Sequence, residues 1–235
     1  KSGLDLYIYY TRIYDIKMRF MEPLRYLKNV PDGAVIDMAD KKQVINYLNN
    51  VRSNAGLFGH IGQFMVRRDL WQKVPYNETV TGLNWIHIYK LWYLRKFKSK
   101  FKFSSFELLN IRAENDTIIR QSGICARLLM EVNALYIIGG IVFDDDSDIF
   151  NAFLDVIKRY SPLYTIPPLF AVAKKDRETF YKLVDCLHLY PYTPAQKAAI
   201  SCSCRISPLY FLRIILNKPA FKYFKKPVKF IKDLL

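Results

Sequence analysis

The chain has 235 residues, 51% hydrophobic and 24% charged, which is enough apolar material for one medium domain with an appendage and excludes global disorder. Thirty-six basic against 21 acidic residues leave a net charge of +15, which attracts polyanions such as nucleic acid, anionic lipid head groups or phosphorylated small molecules. The four cysteines, Cys125, Cys186, Cys202 and Cys204, lack the spacing of a zinc site, and buried thiols in a reducing cytosol are expected.

The chain opens Lys-Ser-Gly-Leu-Asp-Leu without a methionine, so a preceding segment is expected. Leu4–Ile16 is rich in Tyr and Ile and predicts a strand. Asn29-Val-Pro-Asp-Gly33 is turn chemistry, and Asp40–Arg52 places Val44, Ile45 and Leu48 at helical spacing behind Asp40 as N-cap. The glycines of Gly56-Leu-Phe-Gly59-His-Ile-Gly62-Gln-Phe-Met-Val66 predict close backbone approach. A short helical turn at Arg68–Trp71, a strong helix over Thr81–Phe97 and a strand over Phe101–Ile111 follow. Helices are expected at Asp116–Tyr136, Ser147–Tyr160, Arg177–Leu187 and Pro194–Ser203, separated by prolines. The longest apolar runs, Val132–Phe143 and Ile206–Leu216, fall short of the ~20 residues of a spanning helix, and no leader is recognised. A soluble or membrane-surface protein is the expectation.

Residues 56–116 carry the most information. GLFGHIGQFMVRRDLWQKVPYNETVTGLNWIHIYKL and then FELLNIRAENDT resemble the C-terminal half of family 2 bacterial glycosyltransferases, the branch that builds capsule and O-antigen sugars. The elements of the resemblance are Gly62, Arg67, Arg68 and Trp71, the acidic loop with Glu78, the small-residue turn at Gly82, His87 on a helix, and a strand ending in Arg112 with Asn115 nearby. The resemblance implies a GT-A-like α/β fold with a divalent metal, Mg or Mn, and a nucleotide-sugar donor. It also implies a saccharide or lipid-linked acceptor. The family's PTYN-like turn and Asp-x-Asp motif do not precede residue 56, so the chain is expected to be the acceptor-side part and inactive alone.

Glycosyl transfer needs a base for the acceptor hydroxyl and stabilisation of the departing diphosphate. Relatives place an acid at the start of the helix that begins here Thr81-Gly82-Leu83-Asn84, which has none. Glu78 is the nearest carboxylate and the candidate base, against a solvated loop glutamate. His87 is a candidate catalytic group, as metal ligand or diphosphate contact, against a packed helical histidine. Asn84, Trp85, Arg112, Asn115 and His60 are candidate substrate contacts. For Trp85 the competing role is core packing, and for Asn115 capping.

Asp144-Asp-Asp-Ser-Asp148 imitates a metal site, yet Ile149 stands where a calcium loop needs glycine, and capping of the next helix by Asp146 or Asp148 is favoured. From Arg205 to Leu235 eight basic residues face one acid, Asp233. Phe221 and Phe224 lie on one side of this tail and Lys225, Lys226 and Lys229 on others, a basic amphipathic pattern suited to an anionic membrane surface or to a solvated lysine face. Nucleic acid is not expected, since no recognised module is present. The division expected is an α/β part over 1–116, a helical region over 117–204 and the basic tail over 205–235. The protein is expected on the inner face of the plasma membrane, in the cytoplasm. The competing reading is a non-catalytic membrane-associated interaction domain.

Overall fold

The computed structural model describes residues 4–112, 117–160 and 177–203. The fold is mixed α/β, with a five-stranded sheet and several helices, in agreement with the α/β expectation. The strands are β1 (Leu6–Tyr14), β2 (Phe20–Leu24), β3 (Val35–Asp37), β4 (Phe64–Val66) and β5 (Lys100–Arg112). The helices are α1 (Lys41–Asn50), α2 (Arg68–Lys73), α3 (Ile86–Tyr93), α4 (Thr117–Val142), α5 (Ser147–Tyr160), α6 (Arg177–His188) and α7 (Pro194–Ser203).

The chain divides into two compact units: Lys1–Thr117 with Asn133–Tyr160, and Ile118–Val132 with Ser161–Leu235. The break at 116/117 read from the sequence thus differs from the structural one, because the end of α4 and all of α5 join the sheet unit. An apolar patch explains this. Ala134, Leu135, Ile138 and Val142 are buried, and Gly139 lies against the rings of Phe150 and Phe153, where an added Cβ would come within 2.9 Å. The run Val132–Phe143 is therefore the last part of a 26-residue helix, up to Val142, and the residue after it; the helix stretch Cys125–Val142 is long and apolar enough to cross a membrane, although 44% of it is buried inside the protein. Gly123, at φ 82°, breaks the helical path near its start.

In the first unit, β1 and β5 run parallel down the middle of the sheet, with Leu6 opposite Phe101 and Ile8 opposite Phe103. Both β4 and β2 pair antiparallel with β1, β4 at residues 6–8 and β2 at residues 11–14, so they lie end to end along one edge. On the other side β3 pairs antiparallel with β5. Strands β3 and β4 have three residues each, too short for a period-two signal, and the sequence pattern did not announce them.

The alternation of β1 and β5 buries Leu6, Ile8, Phe101 and Phe103 almost completely. Against them packs Trp92 of α3, with ring centroids 5.2 Å from Phe58, 5.4 Å from Phe143 and 6.1 Å from Phe153. Such tilted and edge-on ring pairs each add roughly 0.5–1.5 kcal/mol beyond burial. Helix α1 starts where expected: Asp40 accepts the Lys42 and Gln43 N–H groups. Its C-terminal carbonyls, Leu48 O and Val51 O, receive the Arg159 guanidinium of α5.

The acidic run caps the next helix, as favoured from sequence, and is also an ion-pair knot, which was not expected from sequence. Asp146 Oδ1 accepts the Asp148 and Ile149 N–H groups at the start of α5. Lys96 pairs with Asp144, Arg95 with Asp145, and Lys41 with Asp146 and Asp148. Burial opposes ionisation of Asp146, but Lys41 and the Ile149 N–H outweigh it and hold the carboxyl below its ordinary range. Cys125 and Cys186 are buried and not joined in a disulfide, and burial pushes the Cys186 thiol up to about 11.

Candidate active site

The glycine stretch builds one wall of a cavity. Asn54–Leu57 forms a 3-10 turn, after which Phe58 adopts a left-handed conformation at φ 66° and reverses the chain. The Gly59 N–H then bonds Asn54 O at 3.0 Å, and a Cβ at Gly59 would sit 2.6 Å from that oxygen. This is the close backbone approach that the glycines predicted. Buried Gln63 ties the loop down: its side-chain NH2 donates to Ala55 O and its backbone carbonyl accepts the Tyr9 N–H of β1.

The opposite wall comes from the turn into α3. The helix was expected from Thr81, but it begins at Ile86 and ends in a 3-10 turn over Leu94–Phe97. Gly82, at φ 89°, cannot continue a right-handed helix, and the Leu83 N–H closes a turn on Val80 O. That turn brings Asn84 to the cavity rim, and the first turn of α3 brings His87. Leu109 and Ile111, from the far half of β5, form the floor; the end of the Leu109 side chain reaches in under Gly62, where an added Cβ would lie 2.8 Å from it and the leucine would have to turn aside.

The cavity, of ≈ 360 Å³, is lined by His60, Ile61, Asn84, His87, Leu109 and Ile111 with the backbone of Gly59 and Gly62. That volume is at the lower end of the range for small-molecule sites. A second depression adjoins it through Ile61 and is lined by Phe64, Val66, Arg68 and Trp71. Between the two, the Phe64 ring is near-parallel to both neighbours, 6.3 Å from His87 and 6.3 Å from Trp71, while Lys90 Nζ lies 4.8 Å from the Trp71 ring centre.

His87 is 7% exposed. Burial drives its pKa below the ordinary 6.5, and backbone hydrogen bonds with Gly59 and Phe58 oppose the shift without cancelling it. The imidazole is therefore neutral at neutral pH. Its Nε2 is covered from solvent and has no hydrogen-bond partner among the described residues.

Three of the residues singled out from sequence, His60, Asn84 and His87, thus line one cavity. The others lie elsewhere. Glu78 is exposed on the 3-10 turn Glu78–Val80 and does not line either depression. Trp85 is buried, 5.9 Å from the His87 ring, so packing accounts for it. Arg112 is exposed at the end of β5, opposite Tyr14. Asn115 and the tail residues Phe221, Phe224, Lys225, Lys226 and Lys229 fall outside the described residues. Of the paired arginines, Arg67 clips β4 to β1 through Asp5 and also bonds Asp69, whereas Arg68 lines the second depression.

Sequence reasoning left out Phe64, Leu109 and Ile111 as lining residues. Apolar strand positions carry no signal that separates a cavity floor from a core face. The Mg or Mn ion implied by the resemblance finds no donor set: among the described residues no group of three or more His, Cys, Asp or Glu side chains is placed to hold a metal. His87 accordingly has no co-ligands here, and the carboxylates of residues 144–148 are engaged by Lys41, Arg95 and Lys96. No protein-family model, no curated protein and no solved structure matches this chain.

Proposed function

We propose that the first unit is the acceptor-side part of a GT-A-like glycosyltransferase, which passes a sugar from a nucleotide-sugar donor to a saccharide or lipid-linked acceptor during surface-polysaccharide synthesis. The observation that carries this reading is the cavity that gathers His60, Asn84 and His87 beside the Phe64 and Trp71 rings. Sugar recognition uses such a mixture. Amide and imidazole groups exchange hydrogen bonds with hydroxyls, and aromatic faces cover the apolar side of a pyranose ring.

In this reading His87 takes the acceptor hydroxyl's hydrogen bond. A ring kept neutral by burial has an acceptor nitrogen at pH 7, whereas an imidazolium has none. A hydroxyl entering from the cavity that His87 lines would be met by this nitrogen. Catalytic contacts are commonly open in the unliganded state. Asn84 and His60 orient the ring, and Arg68 lies where a negatively charged substituent would be met. The donor diphosphate and its metal are held by no residue described here, and no step is assigned to them.

Saturation-transfer NMR with a panel of pyranosides tests the reading directly. Binding with a millimolar-range Kd that disappears in Asn84→Ala and weakens in Trp71→Ala supports it. A parent chain that gives no saccharide signal with any member of the panel overturns it.

A further inference from the structure

The turn joining β1 to β2 has a composition that folding does not explain. Ile16, Lys17, Met18, Arg19, Phe20 and Met21 are all exposed, Met18 at 51% and Phe20 at 57%. The turn is nevertheless well fastened. Asp15 Oδ1 accepts the N–H groups of Lys17 and Arg19, both at 2.9 Å, and the Arg19 guanidinium returns to Asp15 at 2.6 Å. The Met18 N–H bonds Asp15 O, and the Asp15 N–H bonds Arg19 O.

Met18 sits at φ 61°, in the left-handed region where glycine or asparagine is the low-strain choice. A solvated turn gains nothing from a thioether at that position. The Phe20 ring touches Tyr14 at 5.8 Å, yet most of it faces solvent. Charge completes the pattern: between Arg12 and Lys28 five basic residues stand against two acids, and with Arg12 paired to Glu107 and Arg19 to Asp15, Lys17, Arg25 and Lys28 stand against Glu22. Large apolar side chains alternating with cations on a rigid tip match an anionic bilayer interface, where head-group phosphates and the acyl boundary are met together. Nucleic acid would use the cations and leave Ile16 and Met18 without a role.

We propose that this hairpin tip is a membrane-contact element, inserting Ile16, Met18 and Phe20 at the level of the head groups of an anionic bilayer while Lys17 and Arg19 meet lipid phosphates. The inference is independent of what fills the cavity, because lipid partition and saccharide binding are measured separately.

The test is co-sedimentation of the full chain with phosphatidylcholine vesicles prepared with and without phosphatidylglycerol. Partition should require phosphatidylglycerol. It should fall roughly tenfold or more in Met18→Ser with Phe20→Ser, from lost apolar burial, and about fivefold in Lys17→Gln. Circular dichroism and the thermal midpoint should stay at the parent values, since these side chains are exposed. A Met18→Trp variant should gain a fluorescence component quenched by brominated acyl chains. The proposal is overturned by variants that partition like the parent, which would move the contact to another segment such as the basic tail. A parent indifferent to phosphatidylglycerol also overturns it, as does a tip that governs self-association in sedimentation velocity and leaves lipid binding untouched.

Discussion

The two ends of the central strand pair do different work. At one end Leu6 and Ile8 of β1 face Phe101 and Phe103 of β5, all buried beneath α1, α3 and α5. At the other end the same strands carry Phe106 at 65% and Leu108 at 41% exposure, and β1 runs on into the exposed hairpin tip. The register slips between Tyr9 and Thr11, where the buried half gives way to the projecting half. The cavity lies at this junction, with Leu109 and Ile111 as its floor. Folding thus spends its apolar contacts on one half of the sheet, and the apolar side chains of the other half remain for contacts outside the chain.

The strongest way to break the comparison is to equalise the two ends. Phe101→Ala at the buried end should cost about 3 to 5 kcal/mol, from lost burial and the cavity left under Tyr47 and Phe58. Urea titration followed by circular dichroism reads this, and a loss below roughly 1 kcal/mol would mean that the sheet end is not the core described. Next comes the junction. In the proposed reading His87→Ala should lower glycosyl transfer by the chain joined to a donor-binding half roughly hundredfold, while Glu78→Gln, which alters an exposed side chain outside the cavity, should stay near parent activity. The reverse order would move the base to Glu78.

A smaller effect follows from the depressed pKa of His87. The unfolded chain binds the proton below about 6.5, whereas the folded ring resists it. The stability it confers is present above that value and is lost as pH falls through the folded pKa. The thermal midpoint should decline from about pH 7.5 to pH 5.5, and His87→Gln should flatten the decline. A slope unchanged in the variant would assign it to other groups. At the projecting end, Phe20→Ser should change stability by less than about 0.5 kcal/mol; a larger loss would mean that the tip belongs to the folding core after all.

Local chemistry made part of this legible in the sequence. Asp40 announced α1 by its side-chain cap, and the glycines at 56 and 59 announced backbone contact that the structure realises against Val51 and Asn54. The hairpin was not legible. Its turn, Asp15-Ile-Lys-Met-Arg19, contains no glycine or asparagine, and closure depends on the Asp15 carboxylate and a left-handed methionine. Helix α3 was placed too early because Leu83 and Ile86 continue its apolar spacing across Gly82, whose positive φ is visible only in three dimensions. Of the site, His60 stands out among the glycines, and Asn84 and His87 in the turn and helix of the family resemblance. Leu109 and Ile111 did not, because only the crossing of β5 beneath the glycine loop makes them a floor.

The glycine-built wall bears on how this cavity diversifies. A side chain at Gly59 would collide with the Asn54 carbonyl, and one at Gly62 with Leu109. Gly59, which meets backbone, cannot grow inward to reshape the chamber, whereas at Gly62 only the flexible end of Leu109 has to give. New ligand preferences arise more readily at Ile61, Leu109 and Ile111, whose side chains line the space. Libraries randomised at those three positions should keep their fold and change their selectivity, whereas libraries randomised at Gly59 should mostly return unfolded chains.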